Sequence, residues 1–230
     1  MPSGPVPAHD AEDNSYGGIT AEDQQLKQRI RKLRLISRVL SALVAIGVFI
    51  PITMTLYKFL STRDVFREVT RPDGGVEERT AWAKDSKTWP TYLYFGIAAT
   101  GLLLNFGILV AYMRSVASAN VVAAVAGVFG WLTVLGEIGV WIATVVVYRT
   151  EKRTDDLWGW SCSEAAQNIQ EVFANEVNFE QYCDIQSVGW YMGILECAVY
   201  ILTAVTYYLV YRRIKTKRQI KNISKSRGEI

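Results

Sequence analysis

Residues 120–150 read NVVAAVAGVFGWLTVLGEIGVWIATVVVYRT. Between Val121 and Tyr148, Glu137 is the only acidic or basic residue. A run this long and this apolar reads as a helix that spans a bilayer. At about 1.5 Å per residue it reaches roughly 42 Å, more than a hydrocarbon core of about 30 Å, so it tilts or projects beyond the core.

Three other runs have the same character: residues 39–57, 92–113 and 188–211. The expected fold is therefore an all-α membrane protein, a bundle of four transmembrane helices at about 39–57, 92–113, 121–148 and 188–211. Half of the 230 residues are hydrophobic, yet the mean hydropathy is only +0.11, because polar tails and loops dilute the four blocks. The membrane domain is expected over residues 26–217, between a polar tail at 1–25 and a basic tail at 218–230. The first tail has no apolar run and reads as disordered. The first apolar run begins near Val39, which points to a first span serving as an uncleaved signal anchor.

Residues 24–38 carry Lys27, Arg29, Arg31, Lys32, Arg34 and Arg38, with Leu26, Ile30, Leu33 and Ile36 at helical spacing. This is the pattern of a short basic amphipathic helix at a membrane surface. In the first span Pro51 removes a backbone hydrogen bond, and neighbouring helices or Thr53 and Thr55 are expected to take up the freed carbonyl.

The first loop, residues 58–90, alternates apolar and charged residues on either side of Pro72-Asp73-Gly74-Gly75, a strong turn signal. A β-hairpin is expected, with strands near 64–70 and 76–82. Trp89, Tyr92 and Tyr94 mark a membrane interface at the start of the second span. The connection at 114–119 is so short that the second and third spans must be antiparallel neighbours. In the second loop, residues 149–187, Ser161 and Glu164 fit a capping box. Ala165, Ile169, Val172 and Phe173 fall on one face, which predicts a short amphipathic helix over 162–175.

Both chain ends are basic, and four spans place both ends on one side, so both termini are expected in the cytoplasm. The second loop is acidic and both long loops lie outside. Cys162 and Cys183 share that outside loop, where oxidation is possible, and are expected to form a disulfide. Cys197 lies in the fourth span as a packing residue.

Glu137, Glu196 and Asn105 are the polar residues within spans, and an ionisable group there is a functional hypothesis by default. At helical rise both carboxyls lie roughly 12–17 Å below the outer boundary, at similar depth. They read either as a proton or cation site or as neutral groups joining helices by hydrogen bonds. No Lys, Arg or His inside the spans is expected to partner them. Small residues recur at four-residue spacing: Ala119, Ala123 and Gly127; Ala126 and Gly130; Gly139 and Ala143; Gly107 and Ala111. Such faces let helices pack closely, within the bundle or against a partner. Arg212, Arg213, Lys215, Lys217 and Arg218 follow the fourth span and suit anionic lipid. The single histidine, His9, lies in the polar tail, and no pair of cysteines has CxxC spacing. No catalytic residue, metal site, cofactor or nucleic-acid partner is expected, and the chain does not read as an enzyme.

Four spans, cytoplasmic termini, a very short inner loop and a cysteine pair in the second outer loop resemble the MARVEL-type tetraspan proteins. The plan is also similar to four-span plasma-membrane proteins of filamentous fungi. The segment Trp158-Gly159-Trp160-Ser161-Cys162 is similar to the claudin W…C signature but stands in the second loop, not the first. The Cys-Cys-Gly motif of tetraspanins is missing. The resemblance implies a non-enzymatic protein of the plasma membrane or secretory pathway that organises membrane domains, with other membrane proteins or a second copy as partners. The competing reading is a small transporter or channel-like subunit using Glu137 and Glu196.

Overall fold

The computed structural model describes residues 8–70, 74–114 and 128–226. Their elements run, in chain order, α1 (Ala8–Thr62), β1 (Phe66–Thr70), β2 (Val76–Thr80), α2 (Trp89–Arg114), α3 (Val128–Thr150), α4 (Leu157–Ser161), α5 (Glu164–Gln167) and α6 (Phe179–Ser226). The chain divides into two compact units, Met1–Ser37 with Leu202–Ile230, and Arg38–Ile201. The first unit is built from helical segments of α1 and α6, where Thr203 and Thr206 are buried. All the packing described below lies in the second.

Among the described residues two helices are long and apolar enough to cross a membrane, over Ile36–Thr62 and Phe179–Lys215. Less than half of either apolar window is buried, unlike the core helix of a soluble protein. Leu43, Leu103, Leu135 and Ile201 all point outward, each more than half exposed.

The expected disordered tail is corrected over residues 8–25, which are helical and continuous with the first apolar run. Extending a formed helix adds one hydrogen bond per residue without a new nucleation cost, and no proline interrupts residues 8–50. Of the two alternatives for the carbonyl freed in α1, the threonines are not the ones that take it up. Proline at 51 frees the carbonyl of Gly47, but Thr53 donates to the carbonyl of Phe49 and Thr55 to that of Pro51. Each hydroxyl reaches back to its own i−4 carbonyl, the local geometry a helical threonine favours.

The hairpin forms as an antiparallel pair in which Phe66 faces Thr80 and Thr70 faces Val76. Its turn at 71–73 lies outside the described residues. Gly74 has φ +83°, a conformation that favours glycine. Register places Arg67 opposite Arg79, a like-charged pair that would repel. Each has its own partner: Arg67 pairs with Glu176, and the Arg79 guanidinium sits 5.1 Å from the Trp160 ring centre.

The hairpin is one wall of a small lobe. Leu56 and Phe59 of α1, Val69, Trp82, Leu157, Trp160, Ile169, Phe173, Val177 and Phe179 form its apolar core. Polar tips inside it are satisfied: Trp82 donates to Thr62 Oγ1 at 2.8 Å and Trp160 to the Ala81 carbonyl at 2.8 Å. Gln170 closes the lobe by donating to Val177 O and accepting from Phe179 N. The disulfide joins Cys162 to Cys183. Closing a loop of this size stabilises by about 3 kcal/mol on the chain-entropy model.

The expected helix over 162–175 shrinks to the short α5, followed by turns from Asn168 to Glu176, with α4 just before it. Asp156 caps α4, its side chain accepting from Gly159 N, and Ser163 caps α5, accepting from Ala166 N. Ser161 is not the cap. It is fully buried and donates to the Leu157 carbonyl. Apolar demand explains the shift: Leu157 and Trp160 turn into the lobe core, so α4 ends at Ser161 and the next helix starts afresh. Ala166, Ile169 and Phe173 are buried, while Ala165 and Val172 are exposed.

Candidate functional site

Between the lobe and the Arg38 end lies a second core, of Val48, Ile52, Tyr94, Ala98, Trp141, Val145, Tyr148, Trp158 and Tyr200. Glycines set how closely its helices meet. A Cβ added at Gly189 would lie 3.3 Å from Pro51 Cβ, and one at Gly193 would strike the Tyr94 hydroxyl and sit 3.0 Å from Val145. One at Gly47 would strike the flexible end of Met192, and one at Gly101 would lie 3.4 Å from Trp141. Gly189 and Gly193 have the four-residue spacing of a close-packing face, a signal legible in the sequence and passed over there.

The expected packing residues fare differently. An added Cβ at Gly107 or Gly139 meets nothing within 4 Å, so these glycines face outward. Ala123 and Gly127 lie outside the described residues, and Ala111 and Gly130 lie in helices without described side-chain surroundings. Arg212 and Lys215 are exposed and Arg213 is half-buried in α6, which also carries Lys217 and Arg218.

An aromatic column closes the lobe end of this core. Trp141 stands 6.4 Å from Tyr94, Tyr94 stacks on Tyr148 at 4.5 Å, and Tyr148 stacks on Trp158 at 5.1 Å. Every polar tip has a partner: Tyr94 donates to Gly189 O, Tyr148 to Gln186 Oε1 and Trp158 to Ser187 Oγ. Lys152 lies 4.3 Å and Arg149 5.5 Å from the Trp158 ring centre. Burial pushes the Lys152 ammonium down, Arg149 adds to this, and Asp156 opposes it. Burial pushes the Asp156 carboxyl up to about 6, against three backbone N–H groups that pull it down.

Below the column the polar groups are not all satisfied. Glu196 is completely buried, and its Oε1 accepts from Ser41 Oγ at 2.8 Å. Among the described residues its Oε2 has no hydrogen-bond partner, and neither does Nδ2 of the buried Asn105. Glu196 interacts electrostatically with Glu137, and Tyr200 with both carboxyls. Arg38, one residue before the first expected span and inside the apolar helix Ile36–Thr62, interacts electrostatically with Glu137.

The two acids are also not level. Gly193 meets Val145, and from that contact Glu196 lies three residues along α6 while Glu137 lies eight residues back along α3. The helices run in opposite directions, so both steps lead the same way, and Glu137 sits about 7 Å further from the lobe. Counting from span ends could not set this offset, since it depends on how α3 and α6 slide against each other. Among the described residues no group of three or more His, Cys, Asp or Glu is placed to hold a metal ion.

A family model, domain of unknown function DUF8762, matches residues 9–229, and the chain belongs to that family. No curated protein and no solved structure matches it.

Proposed function

We propose that this DUF8762 protein is a non-enzymatic four-span membrane protein that presents an ordered lobe outside the bilayer and accompanies partner membrane proteins. The observation that carries the reading is the closed aromatic column. A packed plug with satisfied polar tips, continuous with a folded lobe, suits a rigid presenting scaffold and opposes a path through the bundle.

The four-span plan draws on α2 and α3 beside the two apolar helices already described. They have 26 and 23 residues, enough to cross a bilayer, and expose Leu103, Leu104, Leu135 and Val140. The basic ends support cytoplasmic termini, and Arg212, Arg213, Lys215, Lys217 and Arg218 suit anionic headgroups. The outward small-residue positions Gly107 and Gly139 leave room for a helix of a partner or a second copy. This matches the membrane-organising role that the MARVEL resemblance implies, at the plasma membrane or in the secretory pathway.

Purification in mild detergent tests it, with proteins, lipids and small molecules identified together. A stoichiometric membrane-protein partner or a homo-oligomer is the expected result. The bare Oε2 of Glu196 favours the transporter reading instead. A monomer that carries ion or proton flux in reconstituted vesicles, lost in Glu137→Gln and Glu196→Gln, would replace the scaffold by the transporter.

A further inference from the structure

We propose that Glu196 is a proton-binding site that communicates with one end of the helical core only, the end marked by Arg38. A carboxylate oxygen seeks a donor, and a carboxylic O–H seeks an acceptor. Ser41 serves Oε1, and Oε2 has no partner among the described residues while fully buried. In either protonation state one strong hydrogen-bonding valence is left open in an apolar surrounding, where such a group is costly. The species that fits both states is a proton exchanging by way of water.

The groups that face the site come from all four long helices. They are Ser41 on α1, Tyr94 on α2, Glu137 on α3, and Cys197 and Tyr200 on α6. Arg38 stands three residues before Ser41 and acts on Glu137 and Tyr200. The register places Tyr200, Glu137 and Arg38 all on the side of Glu196 away from the lobe. They make a polar ladder leading to that end. On the other side stand Gly193 against Tyr94, then the stacked Tyr148 and Trp158, closely packed and hydrogen-bonded. A proton on Glu196 therefore leaves by the ladder and not through the column. The chemistry is reversible proton transfer between the carboxyl and water. Such a site reports the pH of one compartment and moves nothing across. The proposal rests on the membrane-spanning reading above, which retention in the membrane through alkaline extraction tests separately.

The experiment uses the full chain in proteoliposomes, sorted by orientation through a tag inserted at Gly74-Gly75, and dicyclohexylcarbodiimide as probe. A protonated carboxyl adds across the carbodiimide, its proton passing to nitrogen, and the adduct persists as the N-acylurea where water is excluded. Peptide mass spectrometry of the parent protein locates the label directly. The expected result is labelling at Glu196 that falls roughly tenfold per pH unit above its midpoint as pH rises on the Arg38 side. It should ignore pH on the lobe side. Glu137→Gln, with parent-like tryptophan fluorescence, should move the profile to lower pH because a neighbouring negative charge is gone. A packing role alone would not move it. No label at any pH, a label that follows lobe-side pH, a profile unmoved by Glu137→Gln, or protection by sodium or potassium at constant pH would each overturn the proposal.

Discussion

The lobe and the helical core are made of one chain and built in opposite senses. In the lobe Trp82, Leu157, Phe173 and Phe179 are inside, and the exposed charges Glu68, Glu78, Glu164 and Glu171 are outside. In the helices Leu43, Leu103, Val140 and Ile201 are outside, while Ser41, Thr55, Asn105 and Glu196 are inside. The lobe follows the rule for water, where removing apolar surface drives folding. The helices carry the pattern that the proposed lipid surrounding calls for, where close contact at small residues and hydrogen bonds between helices would replace that drive. Substitutions of one chemical kind should therefore act differently in the two regions.

The largest contrast is in apolar truncation. Phe173→Ala should cost the lobe about 3–5 kcal/mol, the range for a buried phenylalanine that leaves a cavity. Leu103→Ala, on an outward helical face, should change stability by no more than about 0.5 kcal/mol. Tryptophan fluorescence during thermal unfolding in detergent reads both. Equal losses would mean that the helix exteriors are packed against protein.

A smaller effect, of order 2–3 kcal/mol, concerns pH and the lobe alone. Asp156 has a folded value of about 6 against an ordinary one of about 3.9. Between these values the folded lobe keeps a proton that the unfolded chain has released. The stabilisation from this group is thus full below about pH 4 and is lost as pH rises to about 6. Asp156→Asn keeps an acceptor for Gly159 N and cannot ionise, so it should flatten this slope and melt above the parent at higher pH. A parent melting curve with no slope across this window would remove Asp156 as its source.

The smallest contrast is within the helices. Gly193→Ala drives a methyl group into the Tyr94 hydroxyl and should cost about 1–3 kcal/mol. Gly139→Ala meets nothing and should be neutral or slightly stabilising, since alanine is the better helix former. Co-purification sharpens the comparison. If Gly139→Ala leaves folding intact yet loses a partner, the outward small face is where that partner packs.

How much was legible follows from how local each decision is. The hairpin was readable because its turn and its alternation lie within twenty residues. The cysteine pair was readable because its members lie only 21 positions apart, between the same two apolar runs. Apolar length alone located the long helices. The Ser161 capping box was also a local reading, and it failed because the lobe core claimed that turn for Leu157 and Trp160. The bond from Ser41 to Glu196 joins residues 155 positions apart, and no spacing announces it.

By itself, then, the sequence determined where the long apolar helical runs lie, where the chain turns and which cysteines meet. These are properties of composition and near neighbours, set before any helix finds another. The tertiary structure alone decided that both loops fold as one lobe and that Gly189 and Gly193 make the close contacts. It alone set Glu137 further from the lobe than Glu196, on the side of Arg38. The physical reason is register. A helix can slide and turn against its neighbour without altering its own hydrogen bonds. Only side-chain packing, such as Gly193 against Tyr94 and Val145, selects the position.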